Sequence, residues 1–118
     1  MSPRAWTDRI QDILDAISEA QAFTEGLQFH EFERDLKTQR AVELNFIIIG
    51  EAAAHIPDSV MATNSDVPWR IMKAMRNQLV HAYFAIDPQI VWETARDDLP
   101  QLVEPLTRLL SSEEESSV

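Results

Sequence analysis

One stretch near the middle of the chain most constrains its fold. Residues 36–55 carry apolar side chains on nearly all sides around Phe46-Ile47-Ile48-Ile49, and Gly50 follows directly. Neighbouring elements must cover a helix with this pattern, because a helix at the surface shows apolar residues along one face only. Glycine in a helix interior costs about 1 kcal/mol relative to alanine. We therefore expect residue 50 to lie where another helix approaches closely.

Helical spacing extends over most of the remaining sequence. Apolar residues recur at intervals of three and four in segments that begin near Ser2, near Asp66 and at Asp87, and the chain has only two glycines. The polar segment 58–66 is typical of a loop. Pro100 should break or kink the last helix, because proline lacks an amide hydrogen and clashes with the preceding turn. We predict an all-α fold, an up-and-down bundle of four to five helices with the last one split or kinked near Pro100.

Length and composition narrow the class of protein. A chain of 118 residues suffices for one compact domain, which we place at 1–110. The segment 111–118 is acidic and serine-rich, and we expect it to be a disordered tail. The uninterrupted apolar runs, such as Phe46 to Ile49, are far shorter than the roughly 20 residues of a membrane span. With no cysteine and no apolar leader, the chain is expected to be cytoplasmic, without a membrane partner or a cofactor.

The charge distribution has one local exception. The formal net charge is −10, yet residues 67–86 contain no acidic residue and carry Arg70, Lys73 and Arg76. On an ideal helix these three lie within an arc of about 120°. We call Arg70, Lys73 and Arg76 the cationic stripe. It is either a site for an anion such as RNA or an ordinary solvated helix face.

The only histidine-containing polar cluster lies in the same stretch. Arg76-Asn77-Gln78-Leu79-Val80-His81-Ala82-Tyr83 places an arginine, an amide, an imidazole and a phenol within eight residues. On an unbroken helix, position 81 lies about 140° around the axis from position 76. Either the helix loosens near Val80, or the site combines groups from two chains. His81 bonded to free carbonyls at a helix end is the structural alternative.

The pattern of arginine, four residues, histidine, one residue and tyrosine resembles the signature of the HEPN ribonucleases. Over roughly residues 5–110 the chain is similar to the HepT branch of that superfamily. The likeness is carried, besides the motif, by Ala41-Val42-Glu43, Ile48-Ile49-Gly50-Glu51-Ala52, Trp69, Met75-Arg76-Asn77, Val91-Trp92 and Leu99-Pro100.

The resemblance implies a HEPN-like bundle and a homodimeric, metal-independent endoribonuclease. Such a protein is the toxin of a type VII-like toxin-antitoxin pair and cleaves RNA, with tRNA or mRNA as the expected substrate. Its antitoxin is an MNT-type nucleotidyltransferase that attaches AMP to the motif tyrosine, here Tyr83. The alternative is a non-catalytic HEPN module that binds a nucleotidyltransferase partner or a nucleotide.

The residue types fit metal-free RNA cleavage. His81 can act as acid or base near neutral pH, and Arg76 supplies a permanent positive charge for phosphoryl oxygens. Asn77 and Tyr83 can support them by hydrogen bonding or stacking, and Arg70 and Lys73 are candidate RNA contacts. Two motifs facing each other in a homodimer would supply two imidazoles. The three histidines are too dispersed for a local metal motif, so no metal is expected.

Two further assignments stay open at this stage. Glu51 lies in the apolar part of the second helix and is either a solvent-facing residue or a buried partner for an arginine such as Arg76. The acidic tail either has no role or acts as an autoinhibitor by occupying the cationic cleft that two facing motifs would form.

Overall fold

The computed structural model describes residues 5–82 and 87–116, and for residues 78, 80–82 and 114–116 it describes the backbone alone. Every regular element in this part of the chain is helical, which confirms the all-α prediction. The elements are α1 (Trp6–Thr24), α2 (Phe29–Glu33), α3 (Leu36–Ala54), α4 (Asp58–Thr63), α5 (Trp69–Ala82), α6 (Pro88–Glu93), a π-helical turn (Thr94–Asp98) and α7 (Pro100–Ser116).

Helix α3 is the central element, because it packs against α1 on one side and against α5 on the other. The core between the helices is apolar, and its members without accessible surface include Ile10, Ile13, Ile17, Phe32, Val42, Ile49, Met72 and Leu106. The prediction that neighbours cover α3 on nearly all sides is wrong for one face. Leu44 is 57% exposed and Ile48, inside the apolar run, is 37% exposed. This face has no cover within the described part of the chain.

Side-chain caps fix the starts of two helices. The carboxylate of Asp35 accepts hydrogen bonds from the Thr38 amide at 3.0 Å and from the Thr38 hydroxyl at 2.6 Å, at the start of α3. These bonds favour the charged carboxylate and lower the pKa of Asp35. Asp87 accepts from the Gln89 amide at 2.9 Å at the start of α6. Each carboxylate therefore satisfies an amide that would otherwise lack a partner.

Two local predictions are corrected by the structure. The segment 58–66, predicted as a loop, contains α4, whose Val60 and Met61 pack against the core. Packing of two apolar side chains stabilises a six-residue helix that intrinsic propensity alone would not. The third long helix, predicted to begin near Asp66, begins at Trp69, and the Asp66 carboxylate lies 3.5 Å from a guanidinium nitrogen of Arg108 on α7.

The last helix is split next to Pro100, as predicted. The Leu99 amide donates to the Thr94 carbonyl at 2.9 Å, a bond that spans five residues and defines the π-helical turn. A widened turn at this point is consistent with a proline that supplies no amide hydrogen. Helix α7 then runs through Ser116, so it includes six residues of the segment 111–118 for which the sequence predicts disorder. None of the described helices is long and apolar enough to cross a bilayer.

Candidate functional site

The cationic stripe lies on α5 and turns from solvent toward α3. Trp69 is buried at the start of α5, and its indole nitrogen donates to the Asn64 carbonyl at 3.1 Å, which fixes the beginning of the helix. Arg70 is exposed, whereas Lys73 and Arg76 are partly buried. The stripe therefore runs from an open end at Arg70 to Arg76 at the contact with α3.

At Gly50 the backbones of α3 and α5 approach each other closely. A Cβ atom added at Gly50 would collide with the Cβ of Arg76 and would lie 2.9 Å from the Met72 carbonyl oxygen. Any side chain larger than hydrogen would thus force the two helices apart. The predicted close approach at residue 50 is confirmed, and the structure identifies Arg76 as the residue on the other side.

Glu51, the next residue of α3, is the ionic partner of Arg76. Its Oε1 contacts the Nε of Arg76, while the side chains of Arg76 and Glu51 are 40% and 47% exposed. The Nε atom is shielded from water but makes no hydrogen bond of good geometry. We therefore treat the contact as a charge pair rather than an aligned hydrogen bond. Each of the two sequence interpretations of Glu51 holds in part, because the carboxylate contacts Arg76 while its side chain is 47% exposed and not buried.

Asn77 also contacts the guanidinium group. The Nη1 of Arg76 donates to the Oδ1 of Asn77 at 3.0 Å. An amide that uses its oxygen in this way keeps its nitrogen as a donor for another group. Asn77 is exposed, so a ligand in solvent can reach that donor beside Arg76.

The remaining motif residues are only partly covered by the structure. Helix α5 is regular through Ala82, so the backbone at His81 is helical, and the helix does not loosen near Val80. The side chain of His81 and all of Tyr83 lie outside the described residues. The structure therefore brings together Arg76, Asn77 and Glu51, places Arg70 and Lys73 on the same helix, and leaves the assignments of His81 and Tyr83 as predictions.

Sequence comparison identifies the family. The family described as "Ribonuclease HepT-like" matches residues 13–109 of the chain. The chain belongs to the ribonuclease HepT-like family. The predicted resemblance to the HepT branch is thereby confirmed.

Individual relatives agree over nearly their full lengths. A protein named "Probable ribonuclease HepT" from Thermococcus cleftensis is 40% identical over 99 residues, which span 84% of this chain and 90% of that protein. A candidate RNase of Methanocaldococcus jannaschii is 32% identical over 112 residues, or 92% of this chain and 93% of that protein. A candidate RNase of Caldanaerobacter subterraneus subsp. tengcongensis is 30% identical over 112 residues, or 95% of this chain and 97% of that protein. No solved structure matches the chain.

In this HepT-like protein the site offers positive charge of fixed orientation. The α3 helix supplies both a flat contact surface, through Gly50, and a counter-charge, through Glu51, and both act on Arg76. The sequence identified each of these residues separately but could not pair Gly50 with Arg76. An oriented guanidinium can bind a tetrahedral phosphate through two parallel N–H donors.

Proposed function

We propose that this protein is a metal-independent endoribonuclease that works as a homodimer, with Arg76 and His81 as catalytic residues and Asn77 and Tyr83 in support. Membership of a ribonuclease family supports the reaction class. The observation that carries the assignment is the setting of Arg76, the first residue of the motif. Its side chain is held by α3 yet remains 40% exposed, on a stretch of chain that contains three cations and no acid.

The proposed reaction is transfer of the phosphoryl group to the neighbouring 2′-hydroxyl of RNA. A base removes the 2′-hydroxyl proton, the 2′-oxygen forms a bond to phosphorus, and the bond to the 5′-oxygen breaks as an acid protonates that oxygen. The products are a 2′,3′-cyclic phosphate and a 5′-hydroxyl. The imidazole of His81 serves in proton transfer, and Arg76 stabilises the charge that builds on the phosphoryl oxygens.

Two features support a site shared between two chains. Because α5 is regular through Ala82, positions 76 and 81 diverge by about 140° around one helix, which favours the pairing of groups from different chains. The uncovered face of α3 is apolar at Leu44 and Ile48 and continues to Glu51 beside Arg76. A second copy packed there would cover apolar surface and bring two cationic stripes together.

The biological role that fits this chemistry is that of a toxin in a type VII-like toxin-antitoxin pair, acting on tRNA or mRNA in the cytoplasm. Its antitoxin is proposed to be an MNT-type nucleotidyltransferase that attaches AMP to Tyr83. The added nucleotide would place a phosphate near Arg76 and block the site by charge and by bulk. Co-expression with an MNT-type nucleotidyltransferase, followed by mass spectrometry of the peptide containing Tyr83, tests the modification.

A cleavage assay in EDTA tests the enzymatic proposal. Total tRNA and a synthetic RNA strand are incubated with wild-type protein, Arg76→Ala and His81→Ala, and the products are examined for 2′,3′-cyclic phosphate ends. We expect cleavage by the wild type, and a loss of roughly a hundred-fold or more for either variant. Replacing the 2′-hydroxyl of the RNA by hydrogen should abolish cleavage, because the nucleophile is removed.

Matched controls come from α2 and the residue that follows it. Arg34→Ala and His30→Ala make the same substitutions at exposed positions on a different element, and both should retain wild-type rates. A wild-type protein that binds its nucleotidyltransferase partner tightly but cleaves no RNA would instead support the non-catalytic HEPN module. Activity that disappears with EDTA would reject the metal-independent mechanism.

A further inference from the structure

The contact between α3 and α5 suggests a role for Glu51 in the same site, and this inference rests on the proposed ribonuclease function. We infer that Glu51 is a positioning residue that closes one edge of the Arg76 guanidinium, so that the substrate phosphate is bound by the outer edge formed by Nη1 and Nη2.

The first step of the argument is that Glu51 is fixed relative to Arg76 by the backbone. Glu51 directly follows Gly50, where a Cβ would meet both the Cβ of Arg76 and the Met72 carbonyl. The main chains of α3 and α5 are therefore in direct contact next to the ion pair. The helix backbones thus hold the two side chains within reach of each other.

The second step concerns the donors that remain. A guanidinium group carries five N–H donors, one on Nε and two on each Nη. The Nε atom is shielded from water against the Glu51 carboxylate, and Nη1 donates one hydrogen bond to Asn77 at 3.0 Å. Phosphate oxygens bind arginine through two parallel N–H groups. The edge that includes Nε is closed, which leaves the terminal edge and its Nη hydrogens for the phosphate.

The third step separates this role from simple stabilisation. With side chains 40% and 47% exposed, the Arg76–Glu51 pair is screened by solvent, and pairs of this kind contribute little to folding stability. Removing the Glu51 charge should therefore leave the protein folded. It should also remove an anion from the neighbourhood of an anionic substrate, which favours RNA binding while the guanidinium loses its fixed orientation.

Steady-state kinetics test the inference. Cleavage of a short fluorescent RNA in EDTA is measured for wild type, Glu51→Gln and Glu51→Asp, well below the unfolding temperature of each. For Glu51→Gln we expect kcat to fall by about ten-fold or more, because a small misplacement of a catalytic group is costly, while KM is unchanged or lower. Glu51→Asp, which keeps the charge at a shorter reach, should give an intermediate kcat.

Glu43→Gln is the matched control on the same helix. Glu43 is paired with Arg40 at 3.0 Å, so the substitution removes the same charge from an α3 ion pair that does not involve Arg76. Its kcat should equal that of the wild type. A Glu51→Gln enzyme with wild-type kcat, or one whose kcat falls only in proportion to its folded fraction, would overturn the inference.

A spectroscopic readout keeps this test separate from the proposed function. In 1H–15N spectra, the Arg76 Nε–Hε signal is identified by its disappearance in Arg76→Lys. In the wild type its hydrogen should exchange slowly with water, since Nε is shielded. In Glu51→Gln it should shift and exchange at least ten-fold faster. A protein that cleaves no RNA but shows this change refutes the ribonuclease proposal while retaining the contact, whereas an unchanged signal refutes the role of Glu51.

Discussion

Gly50 and Arg76 meet where α3 and α5 approach each other closely, and the absence of a side chain at Gly50 is what allows the meeting. The arginine of the motif is therefore packed at its Cβ and paired at its Nε, but open at its far end. A side chain that is to bind a substrate in one orientation needs to be held near its backbone while its terminal group stays accessible to solvent.

Gly50→Ala should destabilise the protein and disturb Arg76 together. The new Cβ must displace either the Arg76 stem or the Met72 backbone, at a cost of about 1–3 kcal/mol that alanine's better helix propensity only partly offsets. We expect a lower midpoint in thermal unfolding. In protein that is still folded, we expect RNA cleavage reduced by roughly ten-fold or more, because the guanidinium is moved.

Gly26→Ala is the matched control for this substitution. Gly26 has a φ of 79°, and a Cβ added there meets no atom within 4 Å. Alanine should cost roughly 1–2 kcal/mol through its backbone conformation alone. Thermal unfolding should therefore shift for both variants, while cleavage by folded protein falls only for Gly50→Ala. Equal activity of the two variants would show that the approach at Gly50 serves stability without positioning Arg76.

Arg70 and Lys73 should contribute to RNA affinity through charge. Each lies on α5 upstream of Arg76, and a contact with phosphate releases a counterion on binding. Binding of a His81→Ala protein, in which cleavage is expected to be lost, to single-stranded RNA is measured by fluorescence anisotropy over a range of salt concentrations. This measurement gives the slope of log Kd against log salt. Adding Arg70→Ala or Lys73→Ala should reduce that slope by about 0.7 each.

The same measurement with Arg34→Ala in place of the α5 substitutions should leave the slope unchanged, since Arg34 directly follows α2 and does not lie on α5. If Arg70→Ala and Lys73→Ala behave like Arg34→Ala, the stripe is an ordinary solvated helix face.

Features of this fold that depend on residues close together in the sequence are predicted well, and features that depend on residues far apart in the sequence are not. The long helices follow from apolar spacing, and Asp35 and Asp87 mark two helix starts because a cap acts within three residues. Helix α4 was missed because its stability comes from packing of Val60 and Met61, which local sequence does not reveal. Asp66 has the residue type of a cap but contacts Arg108, which lies 42 positions away.

The candidate site also combines features that the sequence predicts with contacts that only the fold reveals. The sequence indicates that Gly50 needs a close neighbour and that Glu51 has two possible roles. Helix periodicity gives the direction in which a side chain points from the helix axis, but it does not identify the residue that the side chain meets. Only the packing of α3 on α5 selects Arg76 for both. Ile48 is a case in which the sequence misleads. An isoleucine in an apolar run has the pattern of a core residue, yet Ile48 is 37% exposed.

The stability of the fold should depend on Asp35 in acid. Hydrogen bonds from the Thr38 side chain and backbone lower the pKa of Asp35 below its ordinary value of 3.8. A carboxyl group with a lowered folded-state pKa stabilises the protein above its unfolded pKa, and this contribution is lost as the pH falls through the folded-state pKa. Asp35→Ala should therefore lower the unfolding midpoint by roughly 2–8 °C at pH 7. The difference from wild type should shrink below pH 3.8.

Asp97→Ala provides the comparison for this prediction, since Asp97 is an exposed carboxylate on the π-helical turn. Its unfolding midpoint should differ little from that of wild type at any pH between 2 and 7. A gap between Asp35→Ala and wild type that stays constant across this range would mean that the Asp35 charge is not what stabilises the start of α3.

Mixed dimers decide whether one cleft needs the His81 imidazoles of both chains. Wild-type and His81→Ala subunits are denatured together, refolded in known proportions and assayed for RNA cleavage. If one cleft needs both imidazoles, activity should follow the square of the wild-type fraction, because only dimers with two wild-type subunits work. An equal mixture then retains about a quarter of the activity, against about a half if each chain cleaves alone. A linear dependence on the wild-type fraction would show that one His81 imidazole is enough for each cleavage site, so that the cleft does not need both.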